Sequence, residues 1–302
     1  MEVSNADRIV FPDDGFTKGD VVAYYESAAG LMMPFVEGRA LTVERYPKGT
    51  SGKGFMQKNA PDHLSVELID RHEVEKEDGG TTNYPVVRSE EAITAFANLG
   101  VITFHVPPST VGTPFQSDWI IWDLDPPRGE FELARQAAKS LREVLKSFEI
   151  ETMLMTSGSN GYHLRRSLEP TLPSDQAAVV ARGTAALAAE AYPDLMTLAF
   201  RKKDRGKRVF VDWLRNAPFS TSVVPWSLRA RSGAPVAVPI GWSEIDAIAP
   251  DGIGLREAPE RFDQAPWADH AAADLSDLPG RVEGALADAG IELEPFDRFR
   301  SR

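Results

Sequence analysis

The sequence predicts an α+β fold built on a mixed or antiparallel sheet, and three observations carry that expectation. Short apolar runs of strand length interleave irregularly with helical stripes, whereas a doubly wound array would alternate them one for one. Two such runs flank a turn of small residues, Ser157-Gly158-Ser159-Asn160-Gly161, as the arms of a hairpin would. A third run, Ile120-Ile121-Trp122-Asp123-Leu124-Asp125, is halted by Pro126-Pro127, which cannot donate to a sheet ladder.

In chain order, Thr17 with Asp20 three residues on approximates a capping box. The helix it opens puts Val21, Tyr24, Tyr25, Ala28, Leu31 and Met32 on one face and is expected to end at Pro34. Leu41 to Arg45 reads as a strand and Lys48 to Lys53 as a loop. Ser89 is expected to cap a short helix closed by Gly100. After the Asp-x-Asp strand, Phe131, Ala134, Ala137, Ala138, Leu141, Val144, Leu145 and Phe148 form a helical stripe. Strands are predicted from Thr152 to Met155 and from Tyr162 to Leu168. Ser174 is expected to cap an Ala-rich helix running toward Tyr192. Strands follow at Val209 to Trp213 and Val236 to Ile240, and Ala249 to Asp274, rich in Pro, Asp and Gly, reads as linker-like.

Composition narrows the function. At 302 residues, 42% apolar and 26% charged, the chain can bury a sizeable core as one large or two modest domains. Without cysteine it has no disulfide framework, thiolate metal site or cysteine nucleophile. It contains no apolar run near the ~20 residues of a membrane helix, and Met1-Glu2-Val3-Ser4-Asn5 does not read as a signal peptide. A cytoplasmic location and no membrane partner are the expectation. A net charge of −12 argues against a protein that coats nucleic acid through bulk electrostatics. Local basic tracks remain compatible with DNA, and 201–208 holds six basic residues ahead of Asp212.

The chemistry centres on Asp123 and Asp125. Residues i and i+2 of a strand share a face, roughly 7 Å apart, so both carboxylates can aim at one point while Ile120, Trp122 and Leu124 face the other way. Like charges at a buried strand end are costly unless a cation neutralises them, and hard oxygen donors suit Mg²⁺ or Mn²⁺. By itself this pattern leaves an acidic strand-to-turn junction open, and Asp-x-Asp also serves glycosyltransferases and phosphatases. Two further segments add specificity. The glycine turn can bring amide N–H groups toward an anion, with Ser157 and His163 as added donors. Arg208-Val209-Phe210-Val211-Asp212 delivers a third carboxylate at a strand end.

The Asp-Leu-Asp-Pro-Pro run, the Ser-Gly-x-x-Gly-x-His-Leu turn and the Val-Asp-Trp strand, in this order, resemble the polymerase domain of bacterial DNA ligase D, in the archaeo-eukaryotic primase superfamily. Arg8-Ile9-Val10-Phe11-Pro12, Thr17-Lys18-Gly19-Asp20, Glu44-Arg45-Tyr46-Pro47, Gly54-Phe55-Met56-Gln57-Lys58-Asn59 and Pro225-Trp226-Ser227-Leu228-Arg229-Ala230-Arg231 carry the likeness to near Glu244.

The resemblance implies a primase-polymerase fold, with an RRM-like catalytic sheet packed on an N-terminal α/β module. The chain is then one domain, 1–302, with 1–115 as N-terminal module, 116–245 as catalytic core and 246–302 as C-terminal helical extension. It implies a template-directed nucleotidyltransferase of non-homologous end joining, extending primers or filling gaps, with a preference for ribonucleotides and two Mn²⁺ or Mg²⁺ ions. A catalytically weak DNA-end binding module and a de novo primase are the alternatives.

Residue by residue, the resemblance gives Asp123, Asp125 and Asp212 the metal and catalytic roles. Nucleotide binding falls to His105, Ser157, Asn160, His163, Arg205 and Arg229. DNA binding falls to Arg8, Lys18, Arg45, Phe55, Met56 and Lys58, with Lys18 and Arg8 at a 5′-phosphate. Nucleoside triphosphates, gapped or broken DNA, a separate DNA ligase and a Ku-like end-binding protein are the implied partners. Two departures stand out: Asn160 where the family often has a lysine, and Phe55-Met56 where it often has two aromatics.

Overall fold

Cap and turn signals set most of the element boundaries in the computed structural model, which describes residues 2–75 and 79–294. A hairpin of β1 (Ile9–Phe11) and β2 (Phe16–Thr17) feeds directly into α1 (Lys18–Val36). The capping box forms as expected: the Asp20 N–H donates to Thr17 Oγ1 at 3.1 Å, and the Thr17 N–H to Asp20 Oδ2 at 2.7 Å. Pro34 does not end this helix. In a last turn its fixed φ is already helical and only one backbone bond is lost, so α1 runs on to Val36.

Next come β3 (Thr42–Arg45), β4 (Phe55–Gln57), β5 (Ile69–Glu75), β6 (Thr81–Val87), α2 (Glu90–Asn98) and β7 (Val101–Val106). Ser89 occupies the N-cap position of α2, but its side chain makes no capping bond. The β5–β6 hairpin had no clear sequence signal, because Ile69-Asp-Arg-His-Glu-Val-Glu75 carries little apolar alternation.

The chain continues through β8 (Gln116–Asp125), α3 (Phe131–Ser147), β9 (Met153–Thr156), β10 (Tyr162–Pro173), α4 (Ser174–Ala191), β11 (Met196–Thr197), α5 (Lys202–Arg205) and β12 (Val209–Asp212). It closes with β13 (Ser222–Val223), β14 (Pro239–Ile240) and α6 (Leu278–Asp288). Ser174 is the first residue of α4, not its cap, and its Oγ instead meets Ser117 Oγ at 3.3 Å. The strand expected from Val236 shrinks to β14, since Val236 makes only an isolated bridge to Leu228. No helix among the described residues is long and apolar enough to cross a membrane.

The chain divides into two units, each drawn from separate stretches. The first comprises Met1–Val106, Thr221–Val238 and Asp251–Ala265. Its four-stranded antiparallel sheet has the order β13-β7-β3-β4. Tyr25 is fully buried beside it, its ring 4.9 Å from that of Phe104, and its hydroxyl donates to Ile102 O while accepting from the Leu228 N–H at 2.9 Å. The linker-like zone is partly packed: Ile253, Leu255 and Ala258 are buried, and the Phe262 ring lies 5.4 Å from that of Trp226.

The second unit comprises Pro107–Ser220, Pro239–Pro250 and Pro266–Arg302, of which 295–302 lie outside the described residues. Its six-stranded sheet has the order β11-β12-β8-β10-β9-β14, parallel only between β11 and β12. A mixed sheet with a β9–β10 hairpin around the glycine turn is the predicted architecture. Helices α3 and α4 pack on β8 and β10. The Trp122 indole N–H points into α4, donating to Ala181 O at 3.2 Å and Thr184 Oγ1 at 3.0 Å. Residues alternating with Trp122 along β8 therefore take the opposite face.

Candidate active site

On that face, strand register sets out a row of polar side chains. Asp123 of β8 stands opposite Asp212 of β12 on one side and His163 of β10 on the other. Cross-strand partners share a face, and Asp125 joins them two residues along β8. The three predicted carboxylates and His163 thus come together.

The turn after β12 adds a residue that the sequence reading missed. The Leu214 N–H donates to Asp212 Oδ1 at 3.0 Å, starting a short 3₁₀ turn. Asn216, fully buried, then continues the β8 ladder with its side chain. Its Oδ1 accepts from the Ile121 N–H and its Nδ2 donates to Ile121 O, both at 2.8 Å. Between these anchors Arg215 is directed at the acids: Nε lies 3.1 Å from Asp123 Oδ2 and Nη2 lies 3.0 Å from Asp212 Oδ2. No local sequence pattern marks Arg215 or Asn216, because their roles depend on this turn folding back across β8.

Asp123 is only 8% exposed. Its other oxygen, Oδ1, lies 3.1 Å from His163 Nε2. Burial alone would raise its pKa, but His163 and Arg215 overcome that and hold it well below the usual carboxylate range. Asp125 is pushed up to about 7, by burial first and then by the charges of Asp123 and Asp212. Burial raises Asp212 to about 6 against the pull of Arg215. Burial also lowers His163, against the pull of Asp123, and its buried Nδ1 has no hydrogen-bond partner among the described residues.

The glycine turn divides its labour differently from the expectation. Gly158 takes a positive φ of 62°, whereas Gly161 supplies close approach: a Cβ there would lie 1.7 Å from Leu124 O. The amides of Ser159 and Gly161 converge as expected, but on the turn's own Ser157 Oγ, each at 3.2 Å.

Arg205 also reaches the acids. Its Nη1 lies 3.8 Å from Asp125 Oδ2, its Nε and Nη2 donate to Ala199 O and Phe200 O, and its guanidinium lies 4.0 Å from the Phe210 ring centroid. The basic 201–208 segment is thereby tied to the acidic row through one side chain.

Carboxylate oxygens are the donor type that Mg²⁺ or Mn²⁺ takes. Among the described residues, however, no three His, Asp or Glu side chains are grouped to hold an ion. The Arg215 guanidinium supplies the counter-charge between Asp123 and Asp212. The donors match a divalent cation in chemistry, but they are not gathered around one point, and Arg215 lies between Asp123 and Asp212.

The remaining predicted residues belong to the first unit. His105 lies on β7 opposite Thr42 and Val223. The charge of Arg229 acts on Tyr25 and Tyr46. Arg45 on β3 spends its donors internally, with Nε and Nη2 on Leu99 O and Nη1 on Gln57 Oε1, and its guanidinium lies 5.7 Å from the Phe55 ring centroid. Phe55 and Met56 are 46% and 51% exposed on β4, and Lys58 beyond them is exposed. Lys18 begins α1, and its ammonium donates to Ser4 O and Ser4 Oγ. Arg8 is close enough for its charge to disfavour that of Lys18.

Comparison with known proteins places this arrangement. The multifunctional non-homologous end joining DNA repair protein LigD of Mycobacterium tuberculosis is 33% identical over 260 residues, 82% of this chain and 33% of the relative. The bifunctional non-homologous end joining protein LigD of Bacillus subtilis is 30% identical over 249 residues, 82% of this chain and 40% of the relative. The chain thus spans about a third of the length of the mycobacterial relatives it matches. The solved polymerase domain of M. tuberculosis ligase D in complex with DNA superposes with a TM-score of 0.80 at 28% identity, covering 93% of this chain and 98% of that one. The family model for the LigD primase-polymerase domain matches residues 17–268, which takes in the acidic row, the glycine turn and β3–β4 together, and the chain belongs to that family.

Proposed function

We propose that the chain is a template-directed nucleotidyltransferase that extends primers or fills short gaps at DNA ends in non-homologous end joining, with a preference for ribonucleotides. The observation that carries this reading is the one-face row of Asp212, Asp123 and Asp125, whose burial and mutual repulsion call for added positive charge. Asp123, Asp125 and Asp212 would hold two Mg²⁺ or Mn²⁺ ions, which neutralise charge developing on the attacking and leaving oxygens.

The chain's own residues position the reactants. Ser157, Asn160 and His163 form the turn side of the acidic row and would face the triphosphate. Arg215, released from its carboxylates, would offer the fork geometry that phosphate oxygens accept, and Arg205, whose Nε and Nη2 are held by backbone carbonyls, would offer Nη1. His105 and Arg229 of the first unit are the further nucleotide contacts that the family likeness suggests. On the DNA side, Lys18 and Arg8 would take a 5′-phosphate at the break. The exposed pair Phe55 and Met56, with Arg45 and Lys58, would meet the template strand. Ring stacking contributes roughly 1–3 kcal/mol per base, and the Met56 thioether supplies only part of that. The proposed setting includes a DNA ligase and a Ku-like end-binding protein.

A second reading, a weakly catalytic end-binding module, is favoured by the full engagement of Asp123 by His163 and Arg215. Extension of a gapped, 5′-phosphorylated template-primer separates the two. Assayed with ribo- and deoxyribonucleotides and with Mg²⁺ and Mn²⁺, metal-dependent extension supports the polymerase. DNA binding without extension under every combination supports the module.

A further inference from the structure

Lys18 is 3% exposed, yet among the described residues no carboxylate pairs with its ammonium. Burying a charge against neutral oxygens alone is costly, and a second cation, Arg8, stands close by with its buried Nε free of hydrogen bonds among the described residues. What holds Lys18 in place is the N-terminal segment. Ser4 O and Ser4 Oγ each accept from Nζ at 2.6 Å. Ser4 is in turn fixed by Asn98 at the end of α2. Asn98 Oδ1 accepts from the Ser4 N–H at 3.2 Å and from Ser4 Oγ at 3.3 Å, while its Nδ2 donates to Glu2 O at 3.1 Å.

The hydrogen-bond directions in this relay are determined. A lysine ammonium only donates, so Ser4 Oγ must accept from Lys18, and its own proton is left for Asn98 Oδ1. Two of the three ammonium donors are spent on Ser4, and the third has a fixed direction. We infer that Ser4, clipped by Asn98, is a positioning residue that aims the Lys18 ammonium at the 5′-phosphate of a DNA break. The inference rests on the assignment of Lys18 and Arg8 to that phosphate and adds to it the device that orients the charge. Losing the clip leaves the charge present but lets it wander, so the loss should appear in phosphate discrimination and not in general DNA affinity.

The test is a fluorescence-anisotropy titration of the full chain at fixed salt, with one gapped duplex carrying either a 5′-phosphate or a 5′-hydroxyl. The readout is the ratio of the two dissociation constants. Wild type prefers the phosphate, and Lys18→Met removes the preference. Ser4→Ala lowers the ratio by about three- to tenfold, the worth of one ordering hydrogen bond, without changing affinity for the 5′-hydroxyl duplex. Ser4→Thr, which keeps the hydroxyl, restores it, and Asn98→Ala lowers it by a smaller factor. A Ser4→Ala ratio equal to or above wild type, with Lys18→Met still losing the preference, overturns the clip and leaves the phosphate assignment standing. Equal binding of both duplexes by wild type overturns the assignment and the clip with it.

Discussion

Asp123 and Lys18 are both charged groups almost wholly withdrawn from solvent, at 8% and 3% exposure, but they are accommodated in opposite ways. Asp123 is surrounded by counter-charge and hydrogen-bond donors, from Arg215 on one oxygen and His163 on the other. Lys18 is surrounded by dipoles, the carbonyl and hydroxyl of Ser4, with a second cation nearby. In the first arrangement the charge is met from within the chain. The second keeps its positive charge uncompensated, and so remains ready for an anion. One buried charge is matched within the fold; the other is met only by dipoles.

The largest expected effect comes from breaking the acidic row. Asp123→Ala or Asp125→Ala should reduce primer extension by about a thousandfold or more, because several kcal/mol of charge stabilisation at the reacting oxygens is lost. Circular dichroism should show the fold retained. Near-normal extension by either variant removes the row from the mechanism.

Replacing the internal counter-charge tests whether compensation is what stabilises the row. Arg215→Met leaves Asp123, Asp125 and Asp212 facing one another. Removing one partner of a fully buried pair costs about 3–5 kcal/mol, but Arg215 is 36% exposed and solvent screens part of the loss. The expected cost is about 1–3 kcal/mol in metal-free protein. Millimolar Mn²⁺ should recover more of the thermal midpoint in the variant than in wild type. An equal response to metal in both proteins would mean that Arg215 and the cation do not compete.

How much of this was legible beforehand differs between the two regions. The acidic row could be read because a strand's period of two puts Asp123 and Asp125 on one face regardless of context. The glycine turn could be read because so few residues tolerate a backbone approach like that of Gly161 to Leu124. Arg215 and Asn216 were not legible, since their roles depend on a 3₁₀ turn folding back across β8. Ser4 and Asn98 are 94 positions apart, and no local pattern announces their contact. Ser174 misled for a related reason: a serine before a helical stripe fits a cap by sequence, but its hydroxyl meets Ser117 instead, whereas Ser89 does take the N-cap position, without a side-chain capping bond.

A smaller effect concerns pH. An aspartate raised to about 7 in the fold, from an ordinary value of 3.8, favours folding while protonated. That contribution is complete below about pH 4 and lost as pH rises through about 7. Asp125→Asn mimics the protonated form throughout. It should therefore match wild type in stability near pH 4 and exceed it at pH 8 in metal-free buffer. The Asp125 side chain is 47% exposed, so screening reduces the gain to about 1–2 kcal/mol. Denaturant melts at both pH values check the sign. The opposite trend would mean that the repulsion among the carboxylates is already relieved without metal.

The smallest effect tests the turn itself. Asn160 lies in the loop whose Ser159 and Gly161 amides already donate to Ser157 Oγ, so those two donors are not fully available to a phosphate. A positive side chain at position 160 would supply what the amides do not. Asn160→Lys adds one charge on the turn side of the acidic row, where it should strengthen ground-state and transition-state triphosphate binding alike. Uniform binding of that kind lowers KM and leaves kcat unchanged. The expected change is a fall in nucleotide KM of about three- to tenfold, the scale of one charge-assisted hydrogen bond in partly solvated surroundings. Steady-state extension at varied nucleotide concentration measures both constants. A fall in kcat without a change in KM would place the new lysine against the carboxylates instead of the triphosphate. An unchanged KM and kcat together would mean that the turn does not approach the triphosphate, leaving Arg205 and Arg215 as the cationic groups at the row that could do so.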